Sequence, residues 1–340
     1  MNTRFTRVVL TVAFCSLALG AWPHAQGVVR IRMGTMVPKG SLWEQSLEYI
    51  RQEWSRASGG SVQITIYPGG VLGDEVEMVR QVRQGRIQAV GLSSVGLSRI
   101  DEGVSCLQVP MMFRSYAELD YVRERVASTL EERLAAKGFV MLHWADAGWV
   151  HTFSKTPART PDDLRQLKLF TSAGDPETER LFKELGFRVV PLSMTDLTTS
   201  LQTGMIDAFS TVPLFVQLQG LYKLAPHMLD VVWTPLIGGT VISQRTWDQI
   251  AVSDRPALLK AARSAGDRLR GEIRKMGDDS VREMAARGLQ VTSVDAATRA
   301  AWESAAGGAY PQMRGRYCPA DLFDEVLRIR DEFRRSGRRE

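Results

Sequence analysis

The segment "GLSSVG" at residues 91–96 sets two serines between glycines, a pattern close to the G-x-S-x-G elbow that exposes a nucleophilic serine. Val95 stands where the closing glycine is required, so acyl-transfer chemistry finds little support. His143, His151 and His227 have no metal-ligand spacing with one another or with a cysteine, and neither H-E-x-x-H nor C-x-x-C occurs. There is no P-loop and no G-x-G-x-x-G to hold a nucleotide phosphate. The acid pairs Asp74/Glu75 and Asp162/Asp163 stand at expected helix starts, where the helix dipole accounts for them without catalysis. No cofactor or metal is implied, and binding is the chemistry left. One stretch bears on what is bound: "LKLFTSAGDP" reads as a strand ending at Phe170 that turns into a helix. In an open α/β sheet, ligands are met at the carboxyl ends of strands.

The elements that would position such residues alternate along the chain. "VVRIRMGTMVP" is a first strand, and Leu42, Trp43, Leu47, Ile50 and Trp54 keep helical spacing after it. "SVQITIYPGG" is a second strand. A helix follows with Asp74 as cap, Glu77 three residues on and Gly85 as its stop, and then the strand "IQAVGLS". A helix of about twenty residues ends at Gly138 and gives way to a long β-rich passage. Thr160, Pro161 and Asp163 form a second helix start. Strand 167–171, helix 175–186, strand "FRVVPLS", helix 195–203 and strand "MIDAFST" then repeat the plan. This alternation predicts parallel sheets with helices on both faces. From Pro256 to about Arg287 the apolar spacing fits one long helix or two broken near Gly277.

Length and composition agree with an ordinary folded protein of two domains: 340 residues, 44% hydrophobic and 24% charged. At the start, Arg4 and Arg7 precede "VVLTVAFCSLALGA", an apolar run of signal-peptide length. Residues 1–25 are therefore expected to be removed on export to the periplasm, with cleavage after Gly20 or Ala25. A lipid anchor on Cys15 would need a small residue where Phe14 stands, and a retained membrane anchor is the other reading. Loss of Arg4 and Arg7 lowers the net charge from +5 to +3, much of it in the tail "RRSGRRE", which argues against a nucleic-acid partner. Cys106 and Cys318 are left either to bridge or to stay buried thiols.

Five segments together carry a resemblance: "YPGGVLGDEVEMVRQVRQGRIQAVGLSS", "VPMMFRSYAE", "ARTPDDLRQLKLF", "PLSMTDLTTSLQTGMIDAF" and "VISQRTWDQI". In this order, over about residues 30 to 290, they resemble substrate-binding proteins of TRAP (tripartite ATP-independent periplasmic) transporters of the DctP type. The resemblance implies an α/β, bilobal periplasmic-binding-protein fold, two α/β domains joined by crossing strands and a long helix. Lobe I would be 28–147 plus about 236–265, lobe II 148–235 plus about 266–330, and 331–340 a basic tail. A small-molecule solute would be held between the lobes and passed to TRAP membrane permease subunits, with no reaction catalysed by this chain. A branch of the family works with a tetratricopeptide-repeat periplasmic protein and has been associated with hydrophobic ligands.

Departures from the family pattern bear on the solute. The strand matching "LKLF" typically ends in an arginine that grips a carboxylate bidentately, and here it ends in Phe170. Val150 takes the place of a second frequent arginine, and "DAFSTVP" puts Phe209, Ser210 and Thr211 where the pattern has polar anchors. A neutral or largely apolar solute is the expectation. Trp43, Trp144, Trp149, Val150, Phe170, Phe209 and Trp233 are expected around it, with core and cleft equally open for Trp43 and Trp233. Ser93, Ser94, Thr211 and Asp146 would orient it. Two alternatives stand: a carboxylate held by a relocated cation such as Lys39, Arg114 or Lys155, or a sensor or enzyme that borrowed the fold.

Overall fold

The computed structural model describes residues 27–337, so the expected signal peptide lies outside the described residues. Eleven strands are described: β1 (Val29–Thr35), β2 (Val62–Tyr67), β3 (Ala89–Ser93), β4 (Phe139–Trp149), β5 (His151–Ser154), β6 (Lys168–Ser172), β7 (Arg188–Leu192), β8 (Ala208–Thr211), β9 (His227–Leu229), β10 (Pro235–Ser243) and β11 (Gln290–Thr292). They form two sheets, ordered β2-β1-β3-β10-β4 and β11-β9-β5-β8-β6-β7. The βαβ units are parallel as the alternation predicts, β1 with β2 and β3, and β6 with β7 and β8. Purely parallel sheets are not observed, because the crossing strands run the other way. β10 is antiparallel to β3 and β4, and β5 to β8 and β9.

Local chemistry sets the helix starts. Ser41 accepts from the Glu44 amide to open Leu42–Ala57, whose Trp43, Leu47, Ile50 and Trp54 form the buried face. Asp74 caps Glu75–Arg83 through the Glu77 amide, and Thr160 and Asp163 complete a reciprocal capping box.

One unbroken helix, Arg255–Ala285, fits the longer of the two sequence readings, and its 31 residues span about 46 Å. Successive turns of it serve different cores. Leu258, Ala262 and Ala265 pack with β1 and the Leu42–Ala57 helix, Leu269 and Ile273 with Trp43, Val150 and Val212, and Met284 with Phe153 and Phe209 of the second lobe. Trp54 Nε1 fastens the strut by donating to the Leu258 carbonyl at 2.9 Å. Gly266 lies against β4 so tightly that a Cβ there would stand 2.6 Å from the Trp144 carbonyl oxygen.

The chain end departs from the expected division. Trp302 of the helix Ala296–Met313 packs in lobe II, but Ala309 and Met313 of that helix already belong to the lobe I core. The helix Ala320–Arg335 continues there, with Leu322, Phe323, Val326, Ile329 and Phe333 against the core that Leu119, Val122, Val126 and Leu130 also enter. Residues 331–335 are thus the last turn of a packed helix and not a solvated tail, and Arg334 pairs with the buried Glu118. The amphipathic stripe announces a buried face but not which lobe receives it. Cys106 and Cys318 are free, buried thiols of this same core, and burial with the neighbouring Cys318 thiol pushes Cys106 above the usual range.

Candidate functional site

Parallel strands of both sheets, β1 and β3 in one and β6 and β8 in the other, aim their carboxyl ends at one cleft. Thr35 and Met36 at the end of β1, Gly91 to Ser93 on β3, Leu169 to Ser172 on β6, and Ser210 to Val212 at the end of β8 line a single cavity of about 310 Å³. β4 and β10, which cross between the lobes, supply its back with His143, Ala145, Asp146 and Leu236 to Thr240. The placement follows the rule for open α/β sheets, applied here from two lobes at once.

The wall is largely apolar. Of the residues expected at the site, Trp43, Val150, Phe170, Trp233, Thr211 and Ser93 line the cavity, as does Asp146. Phe170 and Val150 are buried, the first backed by Phe153 and Leu197, the second by Trp43 and Val212. Four expected residues do not line it. Trp144 donates to Glu131 at 2.9 Å from within the lobe I core. Trp149 points to the opposite side of the strand from Val150 and packs on Tyr116, ring centroids 4.8 Å apart. Phe209 stacks on Phe153 at 5.6 Å inside lobe II. Ser94 is fully buried in the first turn of Ser94–Ser98 and donates to the Ile237 carbonyl at 3.0 Å.

Charge on the wall is acidic and already occupied. Glu75 accepts from the Ser93 amide at 2.6 Å, the Ser93 hydroxyl at 2.6 Å and the Gly96 amide at 2.9 Å. Burial outweighs these donors and holds its carboxyl above the usual range. Asp175 caps the helix Pro176–Glu184 through Thr178. Asp146 is bound by Arg123 and by Arg274 at 2.8 Å, and Arg274 also reaches Asp120 at 2.6 Å. Among the described residues, no lysine or arginine lines the cavity.

The lobes touch across the mouth. Ser193 of lobe II donates to Asp74 of lobe I at 2.9 Å. Gly174 sits so close to the lobe I side chain of Val76 that an added Cβ would lie 2.0 Å from it. A side chain at 174 would force Val76 or the backbone around it to shift.

The wall also carries polar residues that no sequence pattern assigned to the site, among them His143, Thr171, Thr234, Gln108 and Thr240. His143 is fully buried on β4, and burial pulls its pKa down to about 4, so its ring is neutral at pH 7. The β4–β10 register shifts between Thr240 and Val241, and Leu142 and His143 both come to face the long helix. No local pattern marks that bulge.

Residues 33–315 match the DctP family, described as bacterial extracellular solute-binding protein, family 7. The chain belongs to this family. The DctP-family relatives include the 2,3-diketo-L-gulonate-binding periplasmic protein YiaO of Escherichia coli, 27% identical over 279 residues that cover 78% of this chain and 82% of that one. The C4-dicarboxylate-binding periplasmic protein DctP of Rhodobacter capsulatus is 24% identical, covering 76% and 78% of the two chains. Solved structures of the same fold include a TRAP periplasmic solute-binding protein of Ralstonia eutropha with bound (S)-2-acetolactate, with a TM-score of 0.83 at 21% identity over 89% of this chain and 99% of that one. The sugar acid binding protein DctPAm of Advenella mimigardefordensis, in complex with galactonate, also gives 0.83, at 17% identity over 90% and 99%. The two mixed sheets and many helices of this DctP-family chain are those of the bilobal TRAP binding proteins.

Proposed function

We propose that this DctP-family protein is the periplasmic binding component of a TRAP-type transporter whose solute is neutral and largely apolar, captured between the lobes and delivered to membrane permease subunits. The observation that carries the proposal is the cation-free wall around Phe170 and Val150. The solutes named for the similar structures, acetolactate and galactonate, are anions. An anion buried here would face Asp74, Glu75 and Asp175 with no compensating charge, at a cost of several kcal/mol. The relocated cations considered from the sequence do not meet the cavity: Lys39 and Arg114 are exposed, and Lys155 lies beside Gly204. Arg274, on the same long helix as the wall residue Leu269, is committed to Asp120 and Asp146. The proposal includes a tetratricopeptide-repeat partner, on the ground of the apolar wall alone.

Native mass spectrometry of the protein purified from a periplasm, followed by denaturing extraction, tests the solute class. One neutral molecule per chain supports the reading, and a carboxylate overturns it.

A further inference from the structure

The helix Ala296–Met313 passes from lobe II to lobe I and is fastened in both. In lobe II, Trp302 Nε1 donates to the Arg159 carbonyl at 2.8 Å, and the indole packs with Leu164, Leu169 and Phe187. In lobe I, the Tyr310 hydroxyl donates to the Pro110 carbonyl at 2.8 Å, and its ring meets Phe323 edge-on at 5.9 Å. Ala309 and Met313 enter the same lobe I core. Residues 302 and 310 are separated by about 12 Å of helix. Any change in the angle between the lobes must be absorbed within that span, or one of the anchors must break.

The span is built from poor helix formers. Gly307 and Gly308 lie between the anchors, and Pro311 follows directly after Tyr310. Glycine in a helix interior loses more backbone freedom than any other residue. Pro311 has no N–H to give the Gly307 carbonyl, and a proline ring crowds the carbonyl four residues before it. Both weaknesses therefore fall on one turn. Nothing around the two glycines requires them: each is exposed, neither has a positive φ, and a Cβ on either would meet no atom within 4 Å. Gly266 of the strut differs, because close packing on the Trp144 carbonyl accounts for it. The strut also joins the lobes, but its glycines stand singly and its one proline, Pro256, is in the first turn.

We infer that Gly307–Pro311 is a hinge, at which the helix Ala296–Met313 bends when lobe II swings away from lobe I. The continuous helix belongs to the closed arrangement, in which Ser193 meets Asp74 across the mouth. On opening, the turn around the Gly307 carbonyl unwinds and water takes up the freed backbone groups. Trp302 and Tyr310 keep their partners, and each lobe moves as a unit. This inference concerns the motion of the lobes and holds for any class of solute.

Electron–electron resonance distances between two spin labels on the full chain test it. Gln52→Cys on the Leu42–Ala57 helix of lobe I and Gln202→Cys on the Leu197–Thr203 helix of lobe II carry the labels, both positions being exposed. Cys106 and Cys318 are buried and stay unlabelled. Each Gly→Ala exchange favours an exposed helix about fourfold, so Gly307→Ala with Gly308→Ala should move the open-to-closed ratio about tenfold toward closed. Pro311→Ala returns a donor to the Gly307 carbonyl and should move the ratio the same way. Gly271→Ala on the strut, equally exposed and with open space around it, should change the ratio by less than about twofold. An unchanged ratio in the double variant, or one separation shared by every chain, would overturn the inference. A shift as large under Gly271→Ala would overturn it too and place the bend in the strut.

Discussion

Asp146 belongs to two neighbourhoods of opposite character. Behind β4 its carboxylate meets Arg123 and Arg274, with Arg270 at 4.0 Å and Asp120 shared between Arg123 and Arg274. In front, the cavity wall carries carboxylates on both lobes and no basic side chain among the described residues. The arginines of this region are therefore spent on tying the Tyr116–Ala136 helix and the long helix to β4, with Arg274 also lying over the Tyr116 ring at 4.2 Å. Hydrogen bonds to Asp120 and Asp146 overcome the burial that works against the Arg274 charge and hold it above its usual pKa. Cationic groups close to a cleft are thus not necessarily ligand anchors: their partners decide. The two neighbourhoods respond differently to substitution.

The largest effect is expected from Asp146→Ala. Arg123, only 4% exposed in its side chain, would lose one of its two carboxylates and Arg274 one of its own, a loss of about 3 to 5 kcal/mol in urea denaturation. A loss below 1 kcal/mol would mean that Asp120 alone satisfies both arginines and that the cluster is not a structural unit.

Phe170→Arg sharpens the contrast from the other side by bringing a cation to the wall. The protein's own neutral solute should bind about tenfold or more weakly, and D-glucuronate should gain measurable affinity by calorimetry, because an unpaired buried guanidinium is costly and a carboxylate relieves it. Unchanged affinity for the native solute would remove Phe170 from the site.

Ser193→Ala should do least. It removes one hydrogen bond between the lobes, leaving Asp74 with its amide contact to Glu77, and about a threefold weaker solute affinity is expected. A loss of a hundredfold would show that this single contact holds the mouth shut.

Much of the local structure could be read from residue order. Asp74, Thr160 and Gly85 punctuate helices where their side chains and backbone freedom demand it, and Phe170 stands at a strand end because "LKLF" runs straight into a turn. The site was legible only in part, for a reason rooted in strand geometry. Trp149 and Val150 are neighbours in an extended chain, so they point to opposite sides, and only Val150 meets the cavity. Phe209 and Ser210 divide in the same way, with the phenylalanine turned to Phe153 and the serine to the wall. An aromatic side chain suits a core as well as a cleft, so residue type does not decide between them. His143 escapes local reading altogether, because a bulge in β4 turns it toward the long helix.

The βαβ units, the caps, the long apolar stripe of the strut and the absence of an arginine at positions 170 and 150 are fixed by residue order, since they depend on periodicity and residue type within short windows. Only long-range packing settles that the strut is unbroken, that the last helix joins lobe I and that the nearby arginines are consumed by Asp120 and Asp146. Those outcomes depend on contacts between residues as far apart as Asp120 and Arg274, and the free energy of a charge or a buried hydroxyl is fixed by the partner it meets across such distances.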